Sequence, residues 1–167
     1  MADELKPIGK DASGFDILTR AIKDLLNEFP GLDGQKIYFE ELGEESGLAF
    51  SSDAGALVMA ERRSITNYIT QTCQYPFLVI YRTTATREFQ KINVSAFLDM
   101  LGKWICKEPV EIDGVTYQLS KYPELSSGRK ITRITRDNSY GSALNENKTQ
   151  DWILPVSVQY TNEFEMW

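Results

Sequence analysis

Apolar residues recur along the chain with changing period, and each period predicts an element. Phe15, Leu18, Ile22, Leu25, Leu26 and Phe29 form one stripe at helical spacing, which predicts a first helix over about 14–29. Ser13 lies where an N-cap belongs, with Asp16 three positions on, close to a capping box. Pro30-Gly31 ends the helix, because proline cannot continue its hydrogen-bond ladder, and Asp33-Gly34 turns the chain into a short strand over 35–39. The Gly-, Ser- and Glu-rich stretch 42–60 predicts a loop or irregular hairpin leading into a strand. Two further strands are expected: 64–71 from its β-formers, and 77–81, apolar at consecutive positions, as a central strand buried on both faces. Cys73 falls in a turn between them.

Residues 83–90 are polar and predict an exposed loop or strand extension. Asn93 then caps a second helix over about 94–106, whose stripe is Val94, Phe97, Leu98, Leu101, Trp104 and Ile105. Asp113-Gly114 between two alternating segments, 110–112 and 115–119, predicts a β-hairpin with a type I′ turn. Residues 129–136 predict a strand by their β-prone composition, although they repeat every three positions, against the period of two that a strand requires. A loop over 137–150 leads to a long half-buried strand with Trp152, Leu154, Val156, Val158, Tyr160 and Phe164 on one side. Pro155, unable to donate to a ladder, argues for an edge position at its start. The pattern therefore predicts an α+β fold: one domain over 13–167, a largely antiparallel mixed sheet, and two main helices packed on one face. Residues 1–12 read as a flexible N-terminus.

Composition narrows the chemistry more than the fold. The 167 residues include no histidine, which removes Ser-His-Asp, Cys-His and His-metal constellations, and two cysteines are too few for a Cys₄ zinc site. Cys73 and Cys106, both in apolar surroundings, read as reduced, buried small hydrophobes. No dinucleotide- or nucleotide-binding glycine run is present. Carboxylate pairs such as Glu108 with Glu111, or Glu40 with Glu44, read as solvated acids. These residues imply no catalytic group, no cofactor and no metal. The start has no apolar core of signal-peptide length, so cytosolic synthesis and no membrane partner are expected.

Charge is unevenly placed. The net charge is −6, but residues 1–61 hold 13 acids and 5 bases and the remainder is slightly basic. Such a balance disfavours sequence-specific or generic nucleic-acid binding. Glu40, Glu41, Glu44 and Glu45 fall within six residues and suit a solvated loop or an acidic face. Arg129, Lys130, Arg133 and Arg136 fall within eight; a solvated strand face, ion pairs to a neighbouring subunit and a grip on phosphates are all compatible with them. Trp167 is a candidate interface anchor.

The block Tyr75-Pro-Phe-Leu-Val-Ile-Tyr-Arg82, a polar Thr/Arg stretch, the helix containing Phe97-Leu-Asp-Met-Leu-Gly-Lys-Trp104, the 110–119 hairpin and the strand with Val156-Ser-Val-Gln-Tyr160 follow in an order that resembles the tail-terminator-like minor capsid proteins of tailed phages and prophages, over about 15–164. The resemblance implies a non-enzymatic morphogenesis protein of the virion, assembled in the bacterial cytoplasm. Such a protein forms a homo-oligomer, usually a hexameric ring, and partners tail-tube and head-completion proteins, with DNA at most passing through its lumen. On that reading Glu40, Glu41, Glu44 and Glu45 are expected to face the lumen, and Arg129, Arg133 and Arg136 to pair between subunits. Another virion or head–tail connector component, a generic binding module and a small histidine-free enzyme are the alternatives. The enzyme would need a deep pocket lined by buried acids.

Overall fold

Two strands of 16 residues each run antiparallel through the whole fold, and every other element is placed by them. The computed structural model describes residues 15–44, 46–52, 57–84, 88–126 and 128–166, with backbone alone at 15, 16 and 88–91. In chain order the elements are α1 (Phe15–Asn27), β1 (Tyr38–Phe39), β2 (Gly47–Ser52), β3 (Leu57–Arg63), β4 (Tyr68–Thr83), α2 (Glu88–Ile105), β5 (Val110–Ile112), β6 (Val115–Tyr117), β7 (Arg129–Arg136), β8 (Tyr140–Gly141) and β9 (Gln150–Glu165). Seven strands form one mixed, mostly antiparallel sheet in the order β1-β2-β4-β9-β7, with β3 on β4 and β8 on β9; β5 and β6 form a separate hairpin. The single α+β domain is the one the pattern predicts.

β4 pairs with β9 along its full length, from Tyr68 opposite Glu165 to Thr83 opposite Gln150. Its other edge carries β2 and β3 in tandem: β2 pairs with residues 77–82 and β3 with residues 69–74. Pro76 falls in the gap between them. On the far side of β9, β8 pairs at Trp152 and Ile153 and β7 from Val156 onward, which leaves Pro155 at the matching gap. The Pro155 carbonyl there accepts from Asp137 N–H at 3.0 Å. Proline thus sits inside the sheet where neighbouring strands change over and no donor is needed. This corrects the expected edge position, because β9 is paired on both sides.

One face of the sheet meets the helices. Cys73, Tyr75, Phe77 and Val79 of β4 and Leu154, Val156, Val158 and Tyr160 of β9 are buried in one cluster with Leu18, Ile22, Leu25 and Leu26 of α1 and Leu98, Leu101 and Ile105 of α2. Leu78 and Ile80, on the opposite face, are half-buried. The strand expected to be buried on both faces is therefore buried on one, and it is central as expected. Cys73 lies in the middle of β4 rather than in a turn.

Local chemistry accounts for the other departures. Gln35 and Ile37 stay out of the sheet because their hydrogen bonds are taken locally: Gln35 N–H donates to Leu32 O at 3.0 Å, and the Asn27 amide, at the end of α1, donates to Ile37 O at 2.9 Å and accepts from Ile37 N–H at 2.8 Å. Ser64–Asn67 is a turn rather than the start of a strand, with Asn67 at φ 60 and the Ser64 hydroxyl accepting from Tyr68 N–H at 3.0 Å. The stretch expected as a loop or irregular hairpin leading into a strand contains β2 and β3: the partners of β2 lie 25 or more residues away on β4, where local composition does not reveal them, while β3 forms a close hairpin with the start of β4. α2 begins six residues before the expected start, leaving Asn93 inside the helix. The 113–114 hairpin has the two left-handed residues its turn type requires, Asp113 at φ 51 and Gly114 at φ 79. Residues 1–12 and Ser13 lie outside the described residues.

Candidate functional site

The acidic cluster occupies one edge of the sheet. β1 and β2 are parallel neighbours at this edge, and the acidic segment 40–44 follows β1, with Glu40 in the left-handed region at φ 49. Its course is fixed by three hydrogen bonds from outside it: Glu40 N–H to Phe50 O at 2.9 Å, Arg82 to Gly43 O at 3.2 Å and Asn147 to Glu44 O at 2.9 Å. Arg82 also grips Asp151, its cross-strand partner, through two bonds of 2.7 and 2.9 Å, which hold its guanidinium firmly in the charged form. Glu40, Glu41 and Glu44 are exposed. Glu45 lies outside the described residues.

The basic stretch forms the opposite edge, and its three-residue repeat has a structural cause. A β-bulge between Ile131 and Arg133 inserts one residue, so Ile131 and Ile134 both point into the core although they are three apart. Arg129 and Arg136 then share the helix-facing side, while Lys130 and Arg133 lie on the other. Arg136 stretches over Gly102 of α2 and ends 3.4 Å from Asp99 and 3.7 Å from Glu108, with its side chain only 17% exposed. It joins β7 to α2 within one molecule. Arg129 and Arg133 are not so engaged: the Arg129 Nε is buried with no hydrogen-bond partner among the described residues, and Arg133 is exposed.

Tyr122 closes the outer edge of β7, a role that sequence spacing does not signal. Its hydroxyl donates to Ile105 O at 2.9 Å and accepts from Ile134 N–H, and Glu124 makes a single antiparallel bridge to Lys130. Lys107 sits 4.3 Å above its ring. Hollows of about 700 and 570 Å³ open on either side of Tyr122 along β7. Burial is the main reason its phenol is pushed up from near 10 to about 12, with the Cys106 thiol adding to it. The folded state thus holds this proton more tightly than the unfolded chain. Its contribution to stability is complete below pH 10 and lost as pH rises from there to about 12. Urea midpoints at pH 9 and pH 11 are expected to fall further for the wild type than for Tyr122→Phe; an equal fall in both would contradict this.

The far end of the sheet carries a third feature that sequence reasoning missed. All seven residues of β3 are exposed, including Leu57, Val58 and Met59, and among the described residues β3 pairs on one side only. Ile65 is fully exposed at the tip of the β3–β4 turn, beside Tyr68, Phe164 and Met166. Met166 N–H bonds Asn67 O at 2.9 Å, bringing the end of β9 against that turn. Trp167 lies outside the described residues. The exposed apolar run 57–59 is legible in the sequence only once its partner strand is known.

Both cysteines are free, and burial pushes both thiols up, so neither is poised as a nucleophile. Among the described residues no three of Cys, Asp and Glu gather closely enough to hold a metal ion, and no helix is long and apolar enough to cross a membrane. Compared with known proteins, the chain matches no family model and no curated relative.

Proposed function

We propose that this chain is a non-enzymatic structural protein of tailed-phage or prophage assembly, which caps the tail tube and forms part of the head–tail joint as a homo-oligomeric ring. The observation that carries the reading is the exposed end of the sheet. A strand edge unpaired among the described residues, with Leu57, Val58 and Met59 in water and continued by Ile65, Phe164 and Met166, is a surface that natural monomers avoid and assembly proteins bury. The order of elements that resembles tail terminators supports it, as does a sheet whose two lateral edges are unlike, which favours head-to-tail contact and ring closure. Electron microscopy of the purified protein over a range of concentration and salt tests the proposal. Closed particles with six-fold symmetry are expected. Two-fold dimers or open filaments as the sole assembled form would overturn it.

A further inference from the structure

The geometry points to the contact that would join neighbouring copies: the acidic segment 40–44 of one subunit seats in the basic groove beside β7 of the next. This rests on the ring reading and gives the acids a protein partner in place of the expected lumen. The strand order β1-β2-β4-β9-β7 sets the two features on opposite edges of one sheet. A contact between them is therefore heterologous: each copy offers one donor edge and one acceptor edge, and the contact repeats until a ring closes.

The two surfaces match in charge and in form. The hollows flanking Tyr122 are rimmed by Lys107, Lys121, Arg129, Lys130 and Arg133 beyond the internally paired Arg136, against two acids, Glu108 and Glu124. Glu108 already faces Arg136. Arg129 brings to this groove a buried Nε–H with no partner among the described residues, a donor whose burial costs free energy until an acceptor arrives. Across the sheet, Glu40, Glu41 and Glu44 are exposed and make no ion pair among the described residues. Their loop is tied by Arg82 and Asn147, so little ordering cost remains at docking. Because Tyr122 and Glu124 close the β7 edge, a visitor there is held by side chains rather than by strand addition, as a charged loop can be. A phosphate backbone is the other polyanion such a groove could hold, but the chain's net charge of −6 and its exposed acids repel it.

Charge reversal on the full-length protein tests this by sedimentation at low and high salt, with thermal melts to confirm folding. Lys130→Glu/Arg133→Glu and Glu41→Lys/Glu44→Lys are each expected to weaken self-association by about tenfold or more, and wild-type association to weaken with salt. Mixing the two variants is expected to restore association, since each then meets an opposite charge. Wild-type affinity in both reversed variants overturns the inference while leaving the ring reading intact, as does loss without rescue on mixing. Self-association untouched by Lys130→Glu/Arg133→Glu, with loss of binding to a short duplex DNA, assigns the groove to nucleic acid instead. A wild type that stays monomeric at every concentration and salt removes both proposals.

Discussion

Gly128→Ala is expected to destabilise the fold by about 3 kcal/mol, whereas Gly114→Ala loses only about 1 kcal/mol. Both glycines hold positive φ, +73 and +79, so the left-handed strain of an added Cβ is common to the pair. Their surroundings differ. Gly114 has open space around it at the tip of the β5–β6 hairpin, while a Cβ on Gly128 runs into the backbone oxygen of Glu163. That oxygen belongs to β9 and cannot swing aside, because Glu163 N–H is bonded back to Gly128 O at 3.0 Å. Overpacking adds to the strain, and for a domain of this size the sum corresponds to a fall in melting temperature of roughly 10 °C. Denaturant midpoints of the two variants decide it; equal losses at both sites would show that conformation alone governs.

Arg82→Met comes next, with an expected loss of about 2–3 kcal/mol. Asp151 is only 17% exposed, and without its guanidinium partner it is left as a charge in the sheet with its hydration incomplete. Residual exposure keeps the loss below that of a fully buried pair. The double variant Arg82→Met/Asp151→Leu is expected to recover most of it, since the stranded charge goes with its partner; strict additivity of the single losses would refute the coupling. Arg82→Met also releases Gly43, so amide exchange across 41–44 is expected to quicken while β4 and β9 stay protected.

What could be read from the sequence was local in origin. The α1 stripe, the 113–114 turn and the alternation of β9 each declare themselves within a dozen residues, where period and turn chemistry act unaided. Pairings across long separations were hidden. β2 lies in a stretch that reads as a loop or irregular hairpin, because Gly, Ser and Glu dominate its surroundings and its partners on β4 are 25 or more residues away. The strand over 129–136 was legible from its composition, but its three-residue repeat was not explained there, because the bulge that reconciles it is a property of the pair β7–β9. The same limit applied to the site. The charge cluster at either edge was visible in the sequence, but the fate of Arg136 depended on Gly102, 34 positions earlier, which lets the arginine lie flat on α2. The exposed end of the sheet was invisible because 57–59 reads as an ordinary apolar run until its single partner is known.

The two prolines in the sheet divide it without cutting it. Near Pro76 the neighbour of β4 changes from β3 to β2, and near Pro155 the neighbour of β9 changes from β7 to β8. The molecule is therefore two tiers mounted on one pair of rails. At the seam each rail presents an imino acid with no hydrogen to give, so one tier's outer strand can shift, lengthen or be replaced without orphaning a bond in the other. Such a frame lets the tip of the sheet be refitted to a new partner while the tier that carries the acidic loop keeps its shape.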